Sequence, residues 1–558
     1  MAATLPPAIP AAASRSWLAR HGALLAVCLV LILVAMVRLR VASVPLERDE
    51  GEYAYAGQLI LHGIPPYQLA YNMKFPGTYY AYSLILALFG QTAWGIHVGL
   101  LIVNAATGLA LFWLGRRLLG EFGAAASAVT FAVLSLDRWI NGVFAHATHF
   151  VLLPAVCGLL LLLRAIESRR AWTTMGAGTL FGLAVLMKQQ AIFYPPLALG
   201  LLVWMSMTSP APDRRGLVRQ AATLLAGMAL PFVVLCTVLA AQGVLGRFWF
   251  WTFTYASTYA SEVPLSEVPH LFAHSWDRIM RVSWPFWTMA AAGGAGVWLV
   301  RWATRTRVVL VSLLLASCLA VCPGFYFREH YFILILPSVA LFTGVLAVSI
   351  EAIARRRCSH AAARALAVVA VLAAPVWYVA HEHAYLFTMS PRDVSRETYE
   401  LNPFIEAVDV ARYLKDHTTP DDRIAVLGSE PEIYFYANRK SATGYIYTYA
   451  LMEPQPYAAQ MQREMMGQIE AAHPKYVVLV PMRASWGFSP ASDKTILEWT
   501  DRYVEQCYDM VGLADIYSFA ETTMLWDDQV RVGGYRPRSE NLIYTFRRKN
   551  DQPCTAGR

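Results

Sequence analysis

From Gly22 to about Ala380 the chain is a succession of long apolar runs broken by short basic loops; after His381 it becomes ordinary mixed sequence. A helix needs about 20 mostly apolar residues to cross a bilayer core, where no water can take up its backbone hydrogen bonds. Read by that length, the runs give roughly eleven spans, near 22–43, 92–115, 122–138, 149–165, 173–187, 190–208, 220–241, 284–301, 308–324, 331–351 and 365–381. The fifth is short, and its break from the sixth is the least defined. Composition agrees: 57% of residues are hydrophobic and only 15% charged, against about a quarter charged in soluble domains. The expected fold class is a polytopic α-helical membrane domain over 22–381 with a C-terminal soluble α/β domain over 382–558. The Ala- and Pro-rich stretch 1–21 reads as a disordered cytoplasmic tail, and the first run is too long for a cleaved signal.

Loops that stay in the cytoplasm retain Lys and Arg. With Arg15 and Arg20 placed inside, every second loop is basic: Arg116 and Arg117; Arg164, Arg169 and Arg170; Arg214, Arg215 and Arg219; Arg301, Arg305 and Arg307; Arg355, Arg356, Arg357 and Arg364. That alternation accounts for much of the +8 net charge, so nucleic-acid binding is not needed to explain it. The other set of loops faces outward and includes 44–91, 138–148, the turn at Lys188, 242–283, 325–330 and everything after about 382. Most of the unusual polar residues sit in this set. Cys28, Cys157, Cys236, Cys318 and Cys322 fall in spans as small apolar residues, whereas Cys507 and Cys554 fall in the outward domain, where a disulfide is an open option.

The first outward loop opens with Arg48-Asp49-Glu50-Gly51-Glu52-Tyr53, and a helix is expected from Glu50 to about His62, ended by Gly63-Ile64-Pro65-Pro66. Its apolar positions suit an amphipathic helix on the membrane surface. Asp49 then reads as the helix N-cap, or as a carboxylate that takes a proton from an acceptor hydroxyl; one residue can do both. Glu50 and Glu52 read as solvated acids of the first turn. Lys74, between turn formers and tyrosines, is either a snorkelling lysine or a point charge for a phosphate. Lys188-Gln189-Gln190 and Arg328-Glu329-His330-Tyr331 also lie at the outer face, with Arg328 a phosphate candidate and His330 a hydrogen-bonding partner for a headgroup. Asp137, His146 and His149 sit in the turn after the third span; the two histidines have no Cys or carboxylate support for zinc. The aromatic run Phe248–Tyr255 reads as an interfacial helix, or more weakly as a wall for stacking sugars.

Arg48, Lys74, Lys188 and Arg328 are scattered in sequence yet share one membrane face, with Asp49 beside them. Cations neutralise a leaving phosphate and a carboxylate activates a nucleophile, so the set suits a lipid-linked phosphate. Arg48-Asp49-Glu50-Gly51-Glu52-Tyr53, then Lys74-Phe75-Pro76, Leu88-Phe89-Gly90, Gly115-Arg116-Arg117-Leu118-Leu119-Gly120, Lys188-Gln189 and His330-Tyr331, resemble the GT-C membrane glycosyltransferases over about 45–350. Within these, the pattern is similar to that of the protein O-mannosyltransferase and lipid A aminoarabinose transferase (ArnT-like) superfamily, glycosyltransferase family 39-like, in its bacterial Rgt-type branch.

That resemblance implies a polyprenyl-phosphate-sugar donor, inverting transfer, and an inner-membrane enzyme with a periplasmic C-terminal domain. It makes Asp49, with Glu50, the catalytic acids. It makes Lys74 a donor-phosphate ligand; position at the outer face adds Arg48, Lys188, Arg328 and His330 as donor-phosphate candidates, and Tyr53, Asp137, His146, His149, Gln189 and Tyr331 as candidate acceptor or headgroup contacts. The resemblance further implies no metal and no cofactor, partners limited to membrane lipids, the lipid-linked sugar and a glycolipid, glycan or protein acceptor, and a role in lipopolysaccharide or cell-envelope glycans. Phe75 stands where the family carries proline, and His146-Ala147-Thr148-His149 stands where many members place a second acid. The competing reading is a transporter or flippase of lipid-linked saccharides; such folds often carry internal repeats, and none is evident here. In the C-terminal domain, 408–417 reads as a helix and 423–428 and 475–480 as buried strands.

Overall fold

The computed structural model describes residues 17–532, 534–550 and 554. Residues 1–16 of the expected tail lie outside them, and the first helix, α1 (Trp17–Arg40), begins at Trp17. There follow α2 (Arg48–Leu61), α3 (Gly77–Phe89), α4 (Ala93–Leu134), α5 (Ala147–Ser168) and α6 (Ala171–Met187). Eight of the described helical segments are long and apolar enough to cross a membrane, and α3 and α6 are shorter apolar helices. Each expected span falls on a helix, so the chain is a multi-pass membrane protein. Two expected spans, 92–115 and 122–138, fall on the single stretch α4, which breaks at Gly120 (φ 81°, ψ 177°). A left-handed φ with extended ψ is open to glycine and costly for other residues, so the helix turns there without a long loop. The helix α3 lies inside the segment read from sequence as an outward loop.

After the last span the chain builds a six-stranded sheet from β1 (Arg423–Leu427), β2 (Lys440–Ser441), β3 (Tyr476–Leu479), β4 (Tyr508–Ile516), β5 (Thr522–Trp526) and β6 (Leu542–Arg548), in the order β2-β1-β3-β6-β4-β5. β1 runs parallel to β2 and β3, while β6 is antiparallel to β3 and β4. Both expected strands are present, and the expected helix appears as Phe404–Asp416. Cys507 and Cys554 are joined as a disulfide.

Successive strand residues point to opposite faces, and that alternation ties the sheet to the membrane domain. Ile424 and Val426 join a cluster with Val410 and Leu414 that continues into Tyr53, Ala54 and Tyr55 of α2. Ala425 and Leu427 join the other cluster, with Met465 and Trp499, which continues into Tyr71, Phe248 and Trp251.

This packing corrects the reading of α2 as a surface helix, because every residue from Glu50 to Leu59 is buried. Its amphipathic pattern arises between two protein layers. Glu47, not Asp49, is the N-cap: its carboxylate accepts from Glu50 N at 2.8 Å, and the Glu50 carboxylate accepts from Glu47 N at 3.3 Å. The clamp is continued by Arg48, whose Nε donates to Ser429 O at 2.6 Å and whose guanidinium pairs with Glu430 at 3.0 Å. Ser441 N also donates to Tyr55 Oη at 2.7 Å.

Gly51 sits where α2 meets the sheet domain; a Cβ there would lie 2.6 Å from Glu432 N. Backbone cannot yield as a flexible side chain does, so Gly51→Ala is expected to cost about 1–3 kcal/mol. An earlier thermal unfolding transition in detergent checks this, with Gly22→Ala, which meets nothing within 4 Å, as the undisturbed control.

Candidate functional site

Asp49 and Glu52 are three apart on α2 and so share one face of the helix. Lys74, from the loop before α3, reaches between them: its Nζ is 2.8 Å from Asp49 Oδ1 and 2.6 Å from Glu52 Oε2. Three tyrosines frame the group. Tyr79 OH donates to Glu52 Oε1, Tyr447 OH donates to Asp49 Oδ1 at 2.9 Å, and the Tyr53 ring lies 4.6 Å from the ammonium. Burial disfavours charge on every member, but at this range attraction dominates for the half-buried pair Asp49 and Lys74. The Lys74 charge holds Asp49 well below the usual carboxylate range despite burial, and the two carboxylates hold Lys74 well above its own. Asp49 is therefore ionised, with Oδ1 occupied and Oδ2 facing His146 Nδ1 at 3.8 Å.

His146 precedes α5, and its ring stacks on that of His330 with centroids 4.2 Å apart. Burial pushes the His146 imidazole down to about 4, so it is neutral. Lys188 follows α6 and stands 4.3 Å over the Tyr331 ring, with burial pushing it down to about 7. Arg328 lies well above its ordinary range beside the Tyr259 phenol. Among the described residues no carboxylate pairs with Lys188 or Arg328. The turn that carries Lys188 is pinned to the first outward segment: Gln189 Nε2 donates to Met73 O at 2.6 Å, and Thr78 Oγ1 to Met187 O at 2.8 Å.

Around this cluster lies a cavity of about 520 Å³ with walls from the membrane helices and the sheet domain. Of the residues singled out from sequence, Asp49, Tyr53, Lys74, Lys188, Gln189, Arg328, His330 and Tyr331 line it. His146 backs it through Asp49 and His330. Others are drawn elsewhere. Glu50 is buried against His97 Nε2 (2.9 Å) and the Ala145 amide, which corrects its reading as a solvated acid. Glu52 is likewise fully buried, and Arg48 is turned toward the sheet domain. Asp137 caps a short 3₁₀ turn, accepting from Trp139 N at 3.0 Å, and burial pushes it up to about 7. His149 lies one turn into α5, with Nδ1 3.1 Å from Asn104 Oδ1.

Sequence reasoning missed what the sheet domain brings: Tyr447, Tyr449 and Glu453 all line the cavity. The only local signal for the two tyrosines is the alternation Tyr445-Ile446-Tyr447-Thr448-Tyr449, in a segment that is not a strand, and Glu453 has none. Glu453, pushed up to about 7 by burial, accepts a hydrogen bond from Tyr255 OH. Tyr255 closes a π-helical stretch, Phe250–Tyr255, inside the aromatic run. Such stretches concentrate at functional sites.

Asp49, His146 and His330 each present one ligand atom within 4.8 Å of the others. Two imidazoles and a carboxylate are a donor set suited to a zinc-like ion with an open position. The zinc pair weighed from sequence was His146 with His149; the fold pairs His146 with His330 instead.

Residues 73–241 match the family model described as dolichyl-phosphate-mannose-protein mannosyltransferase. No curated protein matches the sequence. Solved structures share the fold. ArnT from Cupriavidus metallidurans, bound to undecaprenyl phosphate, is 14% identical with a TM-score of 0.56, over 94% of this chain and 98% of that one. The oligosaccharyltransferase AglB from Archaeoglobus fulgidus, in complex with an inhibitory peptide and a dolichol-phosphate, is 12% identical with a TM-score of 0.53, over 92% of this chain and 75% of that one. An A. fulgidus oligosaccharyltransferase complex with Zn and sulfate gives 14% identity and a TM-score of 0.53, over 89% and 73%. The GT-C fold expected from the sequence is thus the observed one.

Removing one partner of a buried ion group leaves uncompensated charge. Lys74→Met is therefore expected to cost about 3–5 kcal/mol of stability, and Lys74→Met with Glu52→Gln to recover part of it. Thermal unfolding of the two purified variants in detergent checks the order.

Proposed function

We propose that this GT-C chain is a polyprenyl-phosphate-dependent, inverting glycosyltransferase of the inner membrane. It would move a sugar to a hydroxyl acceptor on the periplasmic face, in lipopolysaccharide or other cell-envelope glycan modification. The observation that carries the reading is an ionised Asp49 and two cations, Lys188 and Arg328, in the lining of one cavity, the two cations having no carboxylate partner among the described residues. The likeness to a fold-mate that binds undecaprenyl phosphate and to one that binds a dolichol-phosphate supports a lipid phosphate as the anion.

In this reading Asp49 Oδ2 takes the proton of the acceptor hydroxyl as its oxygen attacks the anomeric carbon. The bond from that carbon to the phosphate oxygen breaks, inverting the centre. Polyprenyl phosphate leaves with the electron pair, and Lys188 and Arg328 meet the charge it gains. Lys74 keeps Asp49 ionised and aimed; with two carboxylates already on it, its role is positioning before it is phosphate binding. Tyr449 and Glu453 offer hydroxyl and carboxyl partners for the sugar.

This chemistry requires no metal. The Asp49–His146–His330 set favours a second reading, in which a bound divalent ion shares the phosphate charge. Turnover that survives chelation supports the first, and turnover restored only by added ion supports the second.

The reading is tested by sugar transfer from a panel of polyprenyl-phosphate sugars to a membrane glycolipid extract. Asp49→Asn is expected to insert and fold yet lose about 100- to 10,000-fold in turnover, the usual worth of a positioned base. Near-normal turnover would remove Asp49 from the chemistry.

A further inference from the structure

At the membrane face opposite the candidate site, Arg116, Arg117 and Arg164 converge on a second cavity, of about 560 Å³. Two helices bring them there. Arg116 and Arg117 precede the break of α4 at Gly120, and Arg164 lies in the last turns of α5, whose other end carries His146. Positive charge in loops of this face sets orientation in the membrane. Orientation alone does not require three guanidinium groups to share one recess.

Two of the three are partly neutralised. Arg116 pairs with Glu121 at 3.1 Å, and Arg117 pairs with Glu167 and donates to Leu163 O at 3.1 Å. Arg164 has no ion pair among the described residues, so three arginines face two glutamates and one positive charge is left over. The rest of the lining has a different character. Leu160, Leu161 and Leu180 form an apolar wall between α5 and α6, and Trp113, 42% exposed, stands at its rim with the Arg116 guanidinium 5.2 Å from its ring. The recess is thus charged at one end and apolar at the other, next to an interfacial tryptophan. A free phosphate would use only the charged end. A lipid with an anionic headgroup uses both, since its headgroup meets the arginines and its acyl chain lies along the leucines.

We propose that this recess is a binding site for an anionic phospholipid of the leaflet opposite the candidate site, with Arg164 the residue that selects for charge. Basic pockets between transmembrane helices bind such headgroups, and each Arg near an anionic surface contributes a modest but measurable attraction. The site is independent of the glycosyltransferase reading, and its test involves no sugar transfer.

The test places the full chain in phosphatidylcholine nanodiscs containing a minor fraction of phosphatidylglycerol with brominated acyl chains. Bromine quenches an indole it touches, and the share due to Trp113 is the difference between the chain and Trp113→Phe. That share is expected to be several-fold larger with brominated phosphatidylglycerol than with brominated phosphatidylcholine. Arg164→Gln, an exposed change that breaks no internal ion pair, is expected to weaken the phosphatidylglycerol effect about fivefold. Equal quenching by the two lipids would overturn the proposal. So would an unchanged preference in Arg164→Gln, or full reversal by inorganic phosphate, which would make the recess a free-anion site.

Discussion

The site depends on one ammonium group. Lys74 is the cation between two carboxylates of α2, and without it Glu52 is left a wholly buried charge and Asp49 loses its counter-ion. The pairing does three things together. It fastens the loop before α3 to α2, it keeps Asp49 ionised, and it fixes which carboxylate oxygen is left to act. Because Tyr447 donates to the same Asp49 oxygen, the sheet domain is drawn into the arrangement. The cost is reduced basicity: a carboxylate held so firmly ionised is a weak proton acceptor. In the proposed transfer, Asp49 gains in readiness and aim what it loses in driving force.

The sheet domain is structurally continuous with the membrane helices. Both faces of β1 feed apolar clusters that extend into the outward segments, and Arg48, Tyr55 and Gly51 seal the contact between them. A cavity built across this junction takes Asp49, Lys74, Lys188 and Arg328 from the membrane domain, and Tyr447, Tyr449 and Glu453 from the sheet domain. Movement of the sheet domain would therefore open the site and loosen Asp49 in one step.

The spans were legible because the bilayer imposes length and apolarity residue by residue, and β1 and β3 because buried strands are short unbroken apolar runs. Asp49, Lys74, Lys188 and Arg328 were legible as a set because topology alone puts them on one face. What local sequence could not carry was partner choice. The amphipathic pattern of α2 reads identically whether its polar face meets water or a protein layer several hundred residues away. The role of Glu50 depends on His97 and the Ala145 amide, both distant in sequence. Arg48 reads from sequence as a partner of a nearby acid or of a phosphate, because its actual acid, Glu430, lies in the distant domain. His146 found His330 through the folding of two separate loops, which no spacing rule within one loop detects.

The most direct measurement of the central claim is the stoichiometry and stereochemistry of a single turnover by the purified chain, with polyprenyl phosphate and the glycosylated product quantified together. Direct transfer by displacement releases one polyprenyl phosphate for each sugar joined, with the anomeric configuration inverted. Donor that binds or crosses the bilayer with its sugar still attached, and no product formed, would contradict it and make the cavity a carrier site.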